Sequence, residues 1–227
     1  MAIKKILMMT KNDKTVPLSD WANVVCSFEN LNEKIYGFKD VCVDGGETLF
    51  LADILKYFDK EIAFEVVGSG DEEYALRMAS LASDIGVNYF LGTQYSGRVH
   101  ERLDSSGVEY FPFLGRAVGH PSKLEGSLDE MEEQSAMLEK NGVAGVNVLA
   151  YRHDNPEDII DLVKRISQKG LLKTIVAGGI NSPERENFVK EQIRPWGYTM
   201  GGALFDKKVQ SCEPFISTQH SHPQLSR

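Results

Sequence analysis

Two charged residues interrupt runs that otherwise read as buried strands: Lys39 in Ile35–Val43 and Glu65 in Glu61–Val67. Side chains alternate across a strand. With Tyr36 and Phe38 facing covering helices, Gly37 and Lys39 face the other way, and Ile62, Phe64 and Val66 likewise leave Ala63 and Glu65 inward. A lysine and a glutamate would then stand side by side on neighbouring strands. Burying either charge alone is expensive, so they should pair with each other or with a ligand. Such a pair suits a lysine that forms a Schiff base or stabilises an enolate while the carboxylate transfers protons. An ion pair that merely fills the interior is the plainer alternative, and the rarity of charges inside strands favours chemistry.

Other candidates follow the same strand ends. Asp40 adjoins Lys39 and would hold that lysine or a metal ion. Arg116 ends the fifth run and suits bidentate recognition of a carboxylate or phosphate, and His120 lies in the long loop behind it, placed to exchange protons near neutral pH. Asn12-Asp13 follows the first run; Asp13 is a candidate base, but turn chemistry is the preferred reading. Gln94, Tyr151 and Arg152 fall at the same rim, Arg152 as a second anion ligand.

The elements that must position these residues are eight short apolar runs separated by segments of helical periodicity. The runs are residues 5–10, 35–43, 61–67, 87–92, 108–114 and 143–151, then the pair Ile175-Val-Ala-Gly-Gly-Ile-Asn-Ser and Gly197-Tyr-Thr-Met-Gly-Gly-Ala-Leu-Phe. Helices are expected over residues 18–31, 47–58, 71–85, 98–103, 127–140, 157–168 and 184–193, with Ser127 and Glu130 matching a capping box. Strict strand–helix alternation predicts a (β/α)8 TIM barrel with an atypical or missing eighth helix. An open doubly wound sheet is the runner-up, but Lys11-Asn-Asp-Lys14 lacks the glycine fingerprint expected after its first strand. Pro112 should disturb the fifth strand, because it has no amide to donate. One domain is expected over residues 1–206, followed by a polar tail, 207–227, in which His220 and His222 read as solvated residues.

The paired glycines after the last two runs carry the most specific signal. Gly178, Gly179 and Asn181, with Gly201 and Gly202, would aim backbone amides at one oxyanion. This pattern resembles the C-terminal quarter of the ribulose-phosphate-binding barrels, a superfamily of phosphosugar isomerases, lyases and related aldolases. The resemblance implies a ligand phosphate at Gly178, Gly179, Gly201 and Gly202. It is close only over residues 175–206; elsewhere the strand–helix rhythm alone matches. Individual catalytic motifs are absent: there is no Asp-x-Lys-x-x-Asp, no cysteine directly after the first strand, and the lysine lies on strand two rather than six.

Bulk properties narrow the class. At 227 residues, 42% hydrophobic and 26% charged, the chain is an ordinary globular one. A net charge of −8 and a pI near 5.2 argue against nucleic acid as a partner. Three scattered cysteines, Cys26, Cys42 and Cys212, form no zinc pattern and imply a reducing compartment. The N-terminal apolar run is too short for a signal peptide and no stretch approaches a membrane span, so a cytoplasmic protein without a membrane partner is expected. No cofactor or metal is implied. The expected activity is a lyase (aldolase-like) or isomerase acting on a small phosphorylated or carboxylated metabolite, in a possible homo-oligomer. A non-catalytic barrel that senses a phospho-metabolite is the alternative, and a metal-assisted variant using Asp40 and Glu65 is a weaker third.

Overall fold

In the computed structural model, residues 2–25, 33–68, 71–170 and 172–202 are described, the side chains of 22–25 excepted. Cys26, Cys212, the end of the first expected helix and the tail with its two histidines fall outside them. Eight parallel strands lie in one sheet: β1 (Lys4–Met8), β2 (Ile35–Lys39), β3 (Glu61–Val66), β4 (Tyr89–Gly92), β5 (Glu109–Phe111), β6 (Gly145–Val148), β7 (Lys173–Val176) and β8 (Gly197–Met200). The order is β6-β7-β8-β1-β2-β3-β4-β5. Between β5 and β6 the ring closes through a single bridge, Phe113 with Asn147. Here Asn147 N–H donates to the Pro112 carbonyl (2.9 Å) and Leu114 N–H to the Asn147 carbonyl (3.0 Å). The irregularity expected at Pro112 is therefore the seam of the barrel. An amide-less residue contributes its carbonyl there and nothing else.

Seven helices alternate with the strands among the described residues: α1 (Leu18–Val25), α2 (Gly45–Tyr57), α3 (Glu72–Asp84), α4 (Gly97–Asp104), α5 (Leu128–Lys140), α6 (Pro156–Lys169) and α7 (Pro183–Phe188), the last running into a π-turn over Val189–Ile193. The capping box at Ser127 and Glu130 forms as expected. A second, at Asp44 and Glu47, starts α2 two residues earlier than periodicity suggested, because Asp44 rather than a later residue accepts the orphan amide.

Side-chain alternation sorts the core into two shells. Outside the sheet, Phe38, Phe64, Phe90 and Tyr110 form an aromatic row with centroids 5.3–6.2 Å apart, set by the register Phe38–Phe64–Phe90–Tyr110. Inside, Ile6, Met8, Ile35, Ala63, Leu91, Phe111 and Ile175 fill the middle of the barrel. Gly37 is required in this layer, since a Cβ there would lie 2.5 Å from Met8 Sδ and 2.9 Å from the Ala63 carbonyl oxygen. The strands are shorter than the apolar runs. β2 stops at Lys39; the Asp40 amide still donates to the Glu65 carbonyl (3.2 Å), while its carboxylate makes other bonds. No helix among the described residues is long and apolar enough to cross a membrane.

Candidate active site at the barrel mouth

Above the apolar layer, the inward positions of β2 and β3 bring Lys39 and Glu65 together in register. Lys39 Nζ lies 3.1 Å from Glu65 Oε2 and 3.4 Å from Asp13 Oδ1, and all three side chains are buried or nearly so. Asp13 also receives the Arg152 guanidinium on both oxygens, Nη2 to Oδ1 at 2.8 Å and Nη1 to Oδ2. The other Glu65 oxygen accepts from Asn147 Nδ2 at 3.0 Å. Two cations and two anions thus form one closed network at the C-terminal ends of the strands, where barrel chemistry resides.

Its electrostatics follow from the pairing. Burial on its own would lower Lys39, but the Glu65 and Asp13 carboxylates outweigh it and hold the ammonium above its ordinary pKa. Burial would likewise raise Asp13; the Arg152 hydrogen bonds and the Lys39 charge override it and bring the carboxyl down to about 2. Arg152 is itself raised, chiefly by its bond to Asp13. An ammonium has three donors. Two of Lys39's go to carboxylates and the third has no partner among the described residues.

The network floors a cavity of about 520 Å³ whose lining includes Thr10, Asp13, Lys39, Glu65, Arg152, Thr199 and the glycine turns. Gly178, Gly179, Asn181, Gly201 and Gly202 all reach it, so the Lys39–Glu65 pair and the expected phosphate seat share one space. Why these positions are glycine differs from one to the next. A Cβ on Gly178 would lie 2.5 Å from Arg152 Nε, one on Gly179 2.9 Å from Tyr151 Cβ, and one on Gly201 2.5 Å from Thr10 Oγ1. Those three admit the protein's own side chains. Gly202 meets nothing within 4 Å and faces open space.

Three expected site residues are corrected. Asp40 does not hold Lys39: its carboxylate accepts from the amides of Val67 (2.9 Å) and Gly68 (3.0 Å) and from Tyr74 Oη (2.8 Å), which fastens the loop after β3. No group of three or more metal-ligating side chains occurs among the described residues. Arg116 belongs to an antiparallel hairpin, Arg116–Val118 with Lys123–Glu125, and pairs with Glu125 in solvent. His120, at the exposed tip of that hairpin, does not line the cavity, whereas its neighbour Pro121 does. The long connection after β5 folds on itself as a ribbon, which turns Arg116 outward. Gln94 is likewise spent on the Gly115 carbonyl, 3.2 Å away.

Asp13 shows the reverse. Asn12 and Asp13 both have left-handed φ (53° and 61°) and form the turn between Thr10–Lys11 and Lys14–Thr15, as turn chemistry required. That turn delivers the Asp13 carboxylate into the site, so the turn and the site are one feature. Asn147 was missed, although the alternation that exposed Glu65 also marks it: Val146 and Val148 face outward, leaving Asn147 the inward polar residue of its strand.

No protein-family model matches the sequence, and no curated protein matches it. Solved structures do match. Orotidine 5'-phosphate decarboxylase from Pyrococcus horikoshii OT3 aligns with a TM-score of 0.63 at 12% identity, over 90% of this chain and 92% of that one. The tryptophan synthase alpha chain from Legionella pneumophila gives 0.61 at 11% identity, over 92% and 83%. A glycerol uptake operon antiterminator regulatory protein from Listeria monocytogenes gives 0.59 at 13%, over 96% of both chains. At these identities the likeness is one of fold: this chain has the (β/α)8-barrel architecture that these structures share. Enzymes and a regulator share it.

Proposed function

We propose that the barrel mouth is the active site of a lyase or isomerase that acts on a small phosphorylated sugar or keto acid through an enolate. One observation carries the reading: a buried lysine, clamped by two carboxylates, lines a cavity that the glycine turns also line. A Schiff base needs a neutral amine, and the pairing of Lys39 opposes deprotonation. Lys39 is therefore assigned as the fixed cation that holds a developing enolate oxygen, a role that gains from the dry surroundings. Glu65 and Asp13 are the proton acceptors within reach. A carboxylate takes the proton from the carbon beside the carbonyl, the C–H electron pair becomes the C=C bond of the enolate, and the carbonyl π pair moves onto the oxygen beside Lys39; return of the proton to the neighbouring carbon completes an isomerisation. In the lyase variant the carboxylate takes the proton of a hydroxyl β to the carbonyl, the O–H pair forms the carbonyl of the departing aldehyde or ketone, and the C–C pair becomes the C=C bond of the same enolate.

The cavity volume falls within the range of small-ligand sites. A purely binding barrel would gain little from burying four charges to recognise a ligand, since desolvation offsets most of what their attraction returns. A panel of phosphosugars and keto acids incubated in D2O tests the proposal by NMR. Deuterium should enter beside the carbonyl of at least one compound, and Lys39→Met should abolish the exchange. Borohydride should trap no adduct on Lys39. An adduct there would replace the enolate mechanism by a covalent one, and an unchanged rate in Lys39→Met would remove the residue from the chemistry.

A further inference from the structure

Arg152 stands between the two halves of the mouth. It leaves the 3-10 turn Ala150–Arg152 after β6 and lies against the Gly178 turn after β7. A guanidinium has five N–H bonds in a rigid fork. Asp13 takes two of them, one on each Nη, and the Ser122 carbonyl takes another from Nη1 at 3.1 Å. The remaining two, on Nη2 and Nε, have no partner among the described residues. Nε lies where a side chain on Gly178 would have to go, at 2.5 Å from that Cβ position. The guanidinium thus packs against the Gly178 turn, with Asp13 on both Nη atoms and two N–H bonds left over beside the cavity. Ser122, in the hairpin loop beside Pro121, ties the same guanidinium to the cavity's outer wall.

We infer that Arg152 is shared between Asp13 and the phosphate group of the ligand, so that phosphate bound at the glycine turns draws on the guanidinium that holds Asp13. This rests on the phosphate seat of the proposed function and adds a residue and a coupling to it. One consequence is chemical. Asp13 faces Lys39 and Arg152 as its two charged neighbours, and its low basicity depends first among them on the Arg152 bonds. A phosphate that competes for Arg152 makes Asp13 a better proton acceptor at the moment the substrate is seated. Arg152 acts through Asp13 in this respect and is a positioning residue as well as a ligand. A second consequence is structural: Gly178 is glycine so that Arg152 can lie across the turn.

Sulfate is a suitable probe, since its charge is constant over the working pH range. Its affinity is measured by calorimetry at neutral pH for the intact protein, Arg152→Met, Asp13→Asn and the double variant, each confirmed folded by circular dichroism. Asparagine is chosen at position 13 because it accepts the left-handed φ found there. Arg152→Met should weaken sulfate binding about tenfold or more, and Asp13→Asn should strengthen it several-fold by releasing the guanidinium. In the Arg152→Met background the Asp13→Asn gain should vanish, which is the coupling itself. Arg152→Lys should recover only part of the affinity, because a point charge cannot bridge both partners. If the Asp13→Asn gain is the same with and without Arg152, Asp13 acts through space and the sharing is wrong. If the folded intact protein binds neither sulfate nor inorganic phosphate, the seat itself is wrong and both readings fall.

Discussion

The two ends of the barrel carry similar charge inventories and use them differently. At the N-terminal end, Lys4, Lys34 and Glu61 form one cluster with Tyr89, and Lys173 pairs with Glu109. Trp196 closes this end, stacked on Phe111 at 5.2 Å with Lys4 and Lys173 over its ring. At the mouth, Lys39, Glu65, Asp13 and Arg152 form the other cluster. The lower lysines are 38%, 68% and 39% exposed, against 8% for Lys39. Ion pairs of the lower kind are screened, and the aromatic plug does the sealing. The upper pairs are buried or nearly so and line a cavity that no aromatic residue lines among the described residues. Desolvated charge facing a cavity is what chemistry can use; solvated charge around a plug closes a barrel.

The comparison breaks or sharpens under substitution. The largest expected effect is on turnover. Lys39→Met should reduce the rate on any substrate the protein processes by roughly a hundredfold or more, the usual scale for a group that acts on the transition state. Lys173→Met, at the other end, should leave kcat/KM within about twofold. Equal losses from both would erase the distinction between the ends.

Stability should follow the same order. Glu65→Gln leaves Lys39 and Arg152 sharing the one carboxylate of Asp13 and should cost about 3 kcal/mol in urea unfolding, because a buried cation loses its nearest counter-charge. Glu61→Gln should cost about 1 kcal/mol, since water and Tyr89 remain beside the lysines it pairs with. A reversed ranking would mean that the lower cluster holds the barrel together.

Acid unfolding isolates Asp13. Its carboxyl is brought down to about 2 in the folded protein, below the ordinary 3.8, so its contribution is full above about pH 4 and is lost as the pH falls towards 2. The amount is about 2 kcal/mol. Glu186, lowered to a similar value despite its burial by Lys190, Tyr198 and Lys5, loses stability over the same window. Asp13→Asn should therefore flatten part of the acid slope and Glu186→Gln a further part. An unchanged slope in Asp13→Asn would show that the Arg152 bonds do not persist in solution. The smallest effect is expected from Arg116→Ala, whose exposed pair with Glu125 sits outside the cavity. Neither turnover nor melting temperature should change measurably, and a lost activity would return Arg116 to the site.

Much of this was legible because period-two alternation is strictly local. Tyr36 and Phe38 facing out placed Lys39 in, and the same parity placed Glu65. It would have placed Asn147 too. The errors share one cause: a residue at a strand end has more than one place to go. Asp40 was one position from the site and turned to satisfy two backbone amides, which a carboxylate does readily. Arg116 and His120 rode on a segment that folded as its own hairpin. Asp13 was seen as a turn residue, which it is, but the hairpin aims its side chain across the mouth at Arg152, 139 residues away.

By itself, then, the sequence determined the barrel, the inward phase of its strands, and the glycine turns that line the mouth. Each is written in short-range periodicity and in the conformational freedom of glycine. Only the tertiary structure decided that Asp13, Arg152 and Asn147 join Lys39 and Glu65. The closing of the ring brings the turn after β1, the ends of β2 and β3 and the turn after β6 onto one cavity, and burial there forces Lys39, Glu65, Asp13 and Arg152 to satisfy one another. That choice depends on distances of a few ångströms between segments far apart in the chain, and no local pattern encodes them.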